Sequence, residues 1–141
     1  MSMILVNRIV PAFLFIMAIA VAANLILTPV YHDGSENYAV WKIMNWPMAV
    51  GVAIALIASC IRYKTGKQGD SNSMGSLRAT LVFYGAIVLT MIFFWNWIWT
   101  LNPSSETGEA VTSHMIHFPL TNALFTIIGL STAKYLWRGV K

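Results

Sequence analysis

Four long apolar runs, separated by short polar segments, organise the chain: about Ile9 to Val30, Val40 to Ile61, Thr80 to Leu101 and Met115 to Trp137. Each offers the roughly 20 residues that a helix needs to cross a hydrocarbon core about 30 Å thick. None shows the period-two alternation of a barrel strand, and in lipid a backbone must pair within its own helix or within a closed barrel. The pattern predicts an all-α fold, an integral membrane four-helix bundle, as a single transmembrane domain over residues 1–141. In the second run the stretch from Trp46 is short, so that helix is expected to begin earlier and to carry Lys42 near the headgroups.

The segments between the runs are polar and too short for a soluble catalytic domain. Lys64 to Arg78 is rich in Gly, Ser, Asn and Lys and predicts a flexible connection. The two segments on the other side begin at Tyr31 and Asn102. Residues 1–30 share features with a secretory signal, in Arg8 before an apolar run and Ala20, Ala22 and Ala23 as small residues. The run is long enough to span, and a retained first helix is expected.

Composition strengthens the membrane reading. The chain is 57% hydrophobic and 10% charged, against about a quarter charged for soluble domains. Its six Trp, seven Phe and eight Met exceed what a small soluble interior hides. The net charge of +4 is explained by topology. Arg8, Arg62, Lys64, Lys67, Arg78, Lys134, Arg138 and Lys141, eight of the nine basic residues, share one side, while Lys42 faces Asp33, Glu36, Glu106 and Glu109 on the other. Basic loops stay inside, so both termini are expected in the cytoplasm (N-in, C-in), with the bacterial inner (plasma) membrane as the expected location. No basic excess remains to suggest nucleic acid.

The two halves show a weak match. Leu27-Thr28-Pro29 parallels Leu101-Asn102-Pro103, Trp46-Pro47 parallels Phe118-Pro119, and Arg62-Tyr63 parallels Lys134-Tyr135. One reading is two helical hairpins related by a parallel duplication; the other is chance among apolar sequence. Pro47 and Pro119 fall where the returning helices start, or kink them if the helices start earlier, and Pro11 falls in the first turn of the first span. Small residues mark close approach in span one from Ala18 to Ala23, in span two from Ala49 to Ala58 and in span four at Gly129 and Ala133, and a core centred on spans one and two is expected.

Candidate chemistry sits on the outer side. His32, His114 and His117 all lie there, and the last two share a face if helical. Imidazole suits zinc, copper or iron, and Asp33, Glu36, Glu106 or Glu109 could complete a shell. HxxH lacks the carboxylate of hydrolytic zinc helices, and haem ligation usually sits deeper in a bundle. Interfacial histidines bonded to loops, headgroups or a neighbouring subunit are the first expectation, a transition metal the second and haem the third; the sequence requires no cofactor. Trp95, Trp97 and Trp99, with Trp41 and Trp46, form an outer aromatic belt expected to meet lipid or a partner. Trp137, Tyr63 and Tyr135 form an inner one. Cys60 stands alone, so neither an internal disulfide nor a CxxC motif is possible. It is expected to be a small apolar helix residue.

Polar residues within the spans are sparse, and no Asp, Glu, Lys or Arg falls at mid-membrane depth, which disfavours a proton-coupled pump. Asn24, Asn96 and Asn122 are expected to bond across helices or to backbone. The deciding residues of the membrane glutathione-linked enzymes, the vitamin-K-reductase type, the small multidrug exporters and the respiratory haem anchors are not in place, so no family is assigned. The leading expectation is a non-catalytic accessory or scaffolding subunit, with the lipid bilayer and other membrane protein subunits as partners. Its rivals are an outer-face metal-binding or quinone-associated redox protein and a small-solute channel or carrier.

Overall fold

In the computed structural model, which describes residues 3–31, 39–68, 73–101 and 116–139, every regular element is helical. Helix α1 spans Met3–Tyr31, α2 Ala39–Gln68, α3 Ser73–Thr100 and α4 Phe118–Arg138. Three contain stretches long and apolar enough to cross a membrane: Arg8–Tyr31, Val40–Gly66 and Met74–Trp99. This is the make-up of an integral membrane protein. Helix α4 does not meet the same measure, because Thr121, Asn122, Thr126, Ser131, Thr132 and Lys134 dilute its hydropathy.

The outward faces of the helices are as apolar as the inward ones. Inward positions recur at the i, i+3 or i+4, i+7 spacing of one helix face. They are Leu14, Ala18 and Val21 on α1; Met48, Val52 and Ala55 on α2; Ala86, Leu89 and Phe93 on α3; and Phe125 and Ile128 on α4. Outward positions carry large side chains, including Ile16 and Ile26 on α1, Ile43 and Ile57 on α2, Leu81 and Met91 on α3 and Ile127 on α4. A water-soluble bundle would expose polar groups there.

Pairing does not follow the small-residue forecast. The most extensive contacts join α1 with α4 and α2 with α3, and α1 with α2 is the least extensive pairing. Helices α2 and α4 meet across the short diagonal, while the described residues of α1 and α3 have no close backbone approach. The core is therefore centred on α4. A Cβ at Gly51 of α2 would stand 2.9 Å from Cζ of Phe125, one at Gly85 of α3 2.7 Å from Cδ1 of Ile128, and one at Gly129 of α4 3.3 Å from Cβ of Ala18. Sequence marks where helices can come close but not which helix comes; Ala20, Ala23 and Ala53 face outward.

Two further expectations change. The flexible connection forecast over 64–78 is helical through Gln68 and again from Ser73, leaving only 69–72 outside the described residues. Packing carries the helices on: Tyr63 stacks on Phe83 with ring centres 4.7 Å apart, and Gly66 lies close against Ala79. Thr65 Oγ1 also donates to the Ile61 carbonyl at 2.6 Å. Because α1 and α2 begin early, Pro11 and Pro47 are interior to their helices, whereas Pro119 sits in the first turn of α4. In the register that matches Pro47 with Pro119, buried Met48 and Ala55 fall opposite exposed Leu120 and Ile127. The buried faces do not superpose in that register.

Four hydroxyl groups of the spans bond back along their own helices, whereas buried Thr132 Oγ1 has no partner among the described residues. Thr28 donates to the Asn24 carbonyl at 2.6 Å, Thr90 to Ala86 at 2.7 Å, Thr126 to Asn122 at 2.8 Å and Ser59 to Leu56 at 2.9 Å. Each satisfies its proton without water.

Candidate functional site

The end of the bundle away from the termini gathers the buried amides Asn45, Asn96 and Asn122 and five of the six tryptophans. Asn96, on α3 within a Trp-rich run, is buried and donates from Nδ2 to Thr121 Oγ1 of α4 at 2.9 Å. Thr121 in turn donates to the His117 carbonyl at 2.7 Å. This relay satisfies a carbonyl at the entry to α4 and fixes that entry to α3. Asn45 and Asn122 are buried as well. The cross-helix bond of Asn96 is of the kind expected from sequence; Thr121 as its acceptor carries no signal there.

Aromatic rings close over this polar layer. Trp97 is half-buried and lies edge-on to Trp46, with ring centres 5.0 Å apart and planes at 85°. Phe93 and Phe94 approach it at 5.7 and 6.0 Å. Trp95 and Trp99 pair at 5.9 Å on the outer side of α3. Trp46 and Trp95 are 66% and 61% exposed, and Trp99 is exposed too. Trp41 departs from the belt forecast. It is only 7% exposed and packs in the core with Val21 and Met48, because its position on α2 lies on the inward face one turn before Asn45.

Of the three histidines, only His117 falls among the described residues, in the turn leading into α4, where it is exposed. His32 and His114 lie outside them, as do Asp33, Glu36, Glu106 and Glu109. Among the described residues no three His, Cys, Asp or Glu side chains converge as metal ligands would. On α1, Tyr31 Oη donates to Asn24 Oδ1 at 2.6 Å, and Asn24 Nδ2 is buried with no partner among the described residues. Cys60 is a free, half-buried thiol on α2.

This arrangement sets exposed indoles, Trp46, Trp95 and Trp99, at the same end of the bundle as the buried amides. No family of known proteins, no curated protein and no solved structure matches the chain. Its class, a helical membrane protein, rests on the apolar helices themselves.

Proposed function

We propose that this chain is an accessory or scaffolding subunit of a larger membrane assembly, crossing the bilayer four times with both termini in the cytoplasm. The expected setting is a bacterial inner membrane. The observation that carries the reading is the indole surface of Trp46, Trp95 and Trp99. All three are exposed, Trp46 lying edge-on to Trp97 and Trp95 pairing with Trp99. Indoles carry large contact area at low entropic cost and are favoured at protein interfaces. The grouping of eight basic residues on one side supports the orientation.

The fourth crossing is supported by the way α4 packs. Its polar residues Thr121, Asn122 and Thr132 are buried, while Leu120 and Ile127 face outward. Its 21 residues span about 30 Å at roughly 1.5 Å per residue, enough for the hydrocarbon core.

Tagged protein purified from native membranes in mild detergent should bring down other membrane subunits at fixed stoichiometry. Replacing Trp46, Trp95 and Trp99 together by Ala should release them while the bundle stays folded. Recovery of the chain alone, as one small homogeneous oligomer, contradicts the proposal.

A further inference from the structure

Four cations that are scattered in sequence converge at the end of the bundle that carries the termini. Arg62 from α2, Arg78 from α3, and Lys134 and Arg138 from α4 line one cavity of about 280 Å³, together with the hydroxyl-bearing Ser131 and Tyr135. The Arg62 guanidinium lies over the Tyr135 ring, 4.9 Å from its centre. That contact holds the planar fork in place, and stacked guanidinium is well suited to phosphate oxygens.

Among the described residues the charges have no countercharge. All five acidic residues lie outside the described residues. Only Asp70 belongs to the segment joining α2 and α3, and one carboxylate offsets one of four charges. Like charges held together are stabilised by an anion. Among the described residues the convergence is selective: Arg8 and Lys64 line no part of the cavity.

The neighbours of these cations identify the anion. Ile61, Leu77 and Trp137 precede Arg62, Arg78 and Arg138, and all three are exposed. The cavity therefore stands where apolar helix surface gives way to water, at headgroup depth. Basic pockets between membrane helices on the cytoplasmic side suit anionic lipid heads. We infer that this cavity binds the phosphodiester headgroup of an anionic phospholipid, with Arg62, Arg78 and Arg138 on the phosphate oxygens, Ser131 and Tyr135 on the remaining head, and the acyl chains along α2 and α3. The inference rests on the membrane placement and is independent of any protein partner.

The test uses the full-length chain, delipidated in neutral detergent, with native mass spectrometry and thermal stability as readouts. Phosphatidylglycerol is titrated against phosphatidylcholine, inorganic phosphate and glycerol 3-phosphate. Phosphatidylglycerol should be retained and should raise the melting temperature, and the other three should not. The variant carrying Arg62→Gln, Arg78→Gln and Arg138→Gln should lose about tenfold or more in affinity, as expected for losing charge-assisted hydrogen bonds. Arg78→Gln alone, which leaves the Arg62–Tyr135 contact intact, should show a smaller loss in the same direction and covers the case in which the triple variant fails to fold. Arg8→Gln with Lys64→Gln should bind as the parent does. Equal binding of the two lipids, or equal losses in pocket and control variants, overturns the inference. Binding of soluble phosphate as tight as that of phosphatidylglycerol overturns the lipid assignment and makes the cavity a site for a free phosphate ester.

Discussion

At the scale of single residues, the polar groups matter through where their protons go. Thr121 accepts from Asn96 and donates to the His117 carbonyl, so removing its hydroxyl orphans groups on two elements. Thr121→Val should cost about 0.6 kcal/mol and at most about 1.7, the range for such bonds in membrane helices. Denaturant titration in mixed micelles reads this, and Asn96→Leu added to Thr121→Val should restore part of the loss; independent additive losses contradict a bond between them. Gly51 is constrained in the opposite sense, by lack of room. Gly51→Val pushes Cβ and two methyls into the Phe125 ring and should destabilise by about 1–3 kcal/mol, the usual cost of overpacking. Phe125→Leu should recover part of that in the same titration, and no recovery would show that the α2–α4 contact is not the reason for the glycine. Neither pairing was legible in the sequence. Gly51 and Asn96 could be recognised as close-approach and hydrogen-bonding residues, but their partners lie on helices whose neighbours no local pattern names.

At the scale of elements, all four helices were legible because apolar length is a local property of the chain. Their ends were not. Lys64–Gln68 and Ser73–Arg78 look like a polar loop by composition, yet the stacking of Tyr63 on Phe83 and the approach of Gly66 to Ala79 extend α2 and α3 past the apolar run. Hydropathy averaged over a window leaves α4 below the measure of a span, and such an average ignores direction: Thr121, Asn122 and Thr132 are buried. Direction predicts the consequence of substitution. Ile127 faces outward, so Ile127→Asp puts a carboxylate in lipid and should oppose insertion of α4 by about 2.5–3.5 kcal/mol. A glycosylation reporter placed after α4 measures the inserted fraction; an unchanged fraction means that α4 does not lie in the hydrocarbon. The basic cavity was hidden in plain sight. Arg62, Arg78, Lys134 and Arg138 read along the chain as an orientation signal, and only the packing of α2, α3 and α4 turns them into one site.

At the scale of the whole molecule, the two ends of the bundle differ in chemistry. One end presents indoles and an amide–hydroxyl relay, the other a cluster of cations, and the wall between them is apolar on its outer face. That division fits a bundle fixed across a bilayer, with its cationic end toward anionic headgroups and its aromatic end toward the opposite interface. Four crossings and the inward placement of both termini are the claim on which the rest depends. Single cysteines at Ser2, Ser35, Ser71, Ser104 and Lys141, in a Cys60→Ala background, test it with a membrane-impermeant maleimide on intact spheroplasts. Ser35→Cys and Ser104→Cys should label at once, and Ser2→Cys, Ser71→Cys and Lys141→Cys only after permeabilisation. Labelling of Lys141→Cys together with Ser104→Cys in intact spheroplasts would contradict it, because α4 would then not cross.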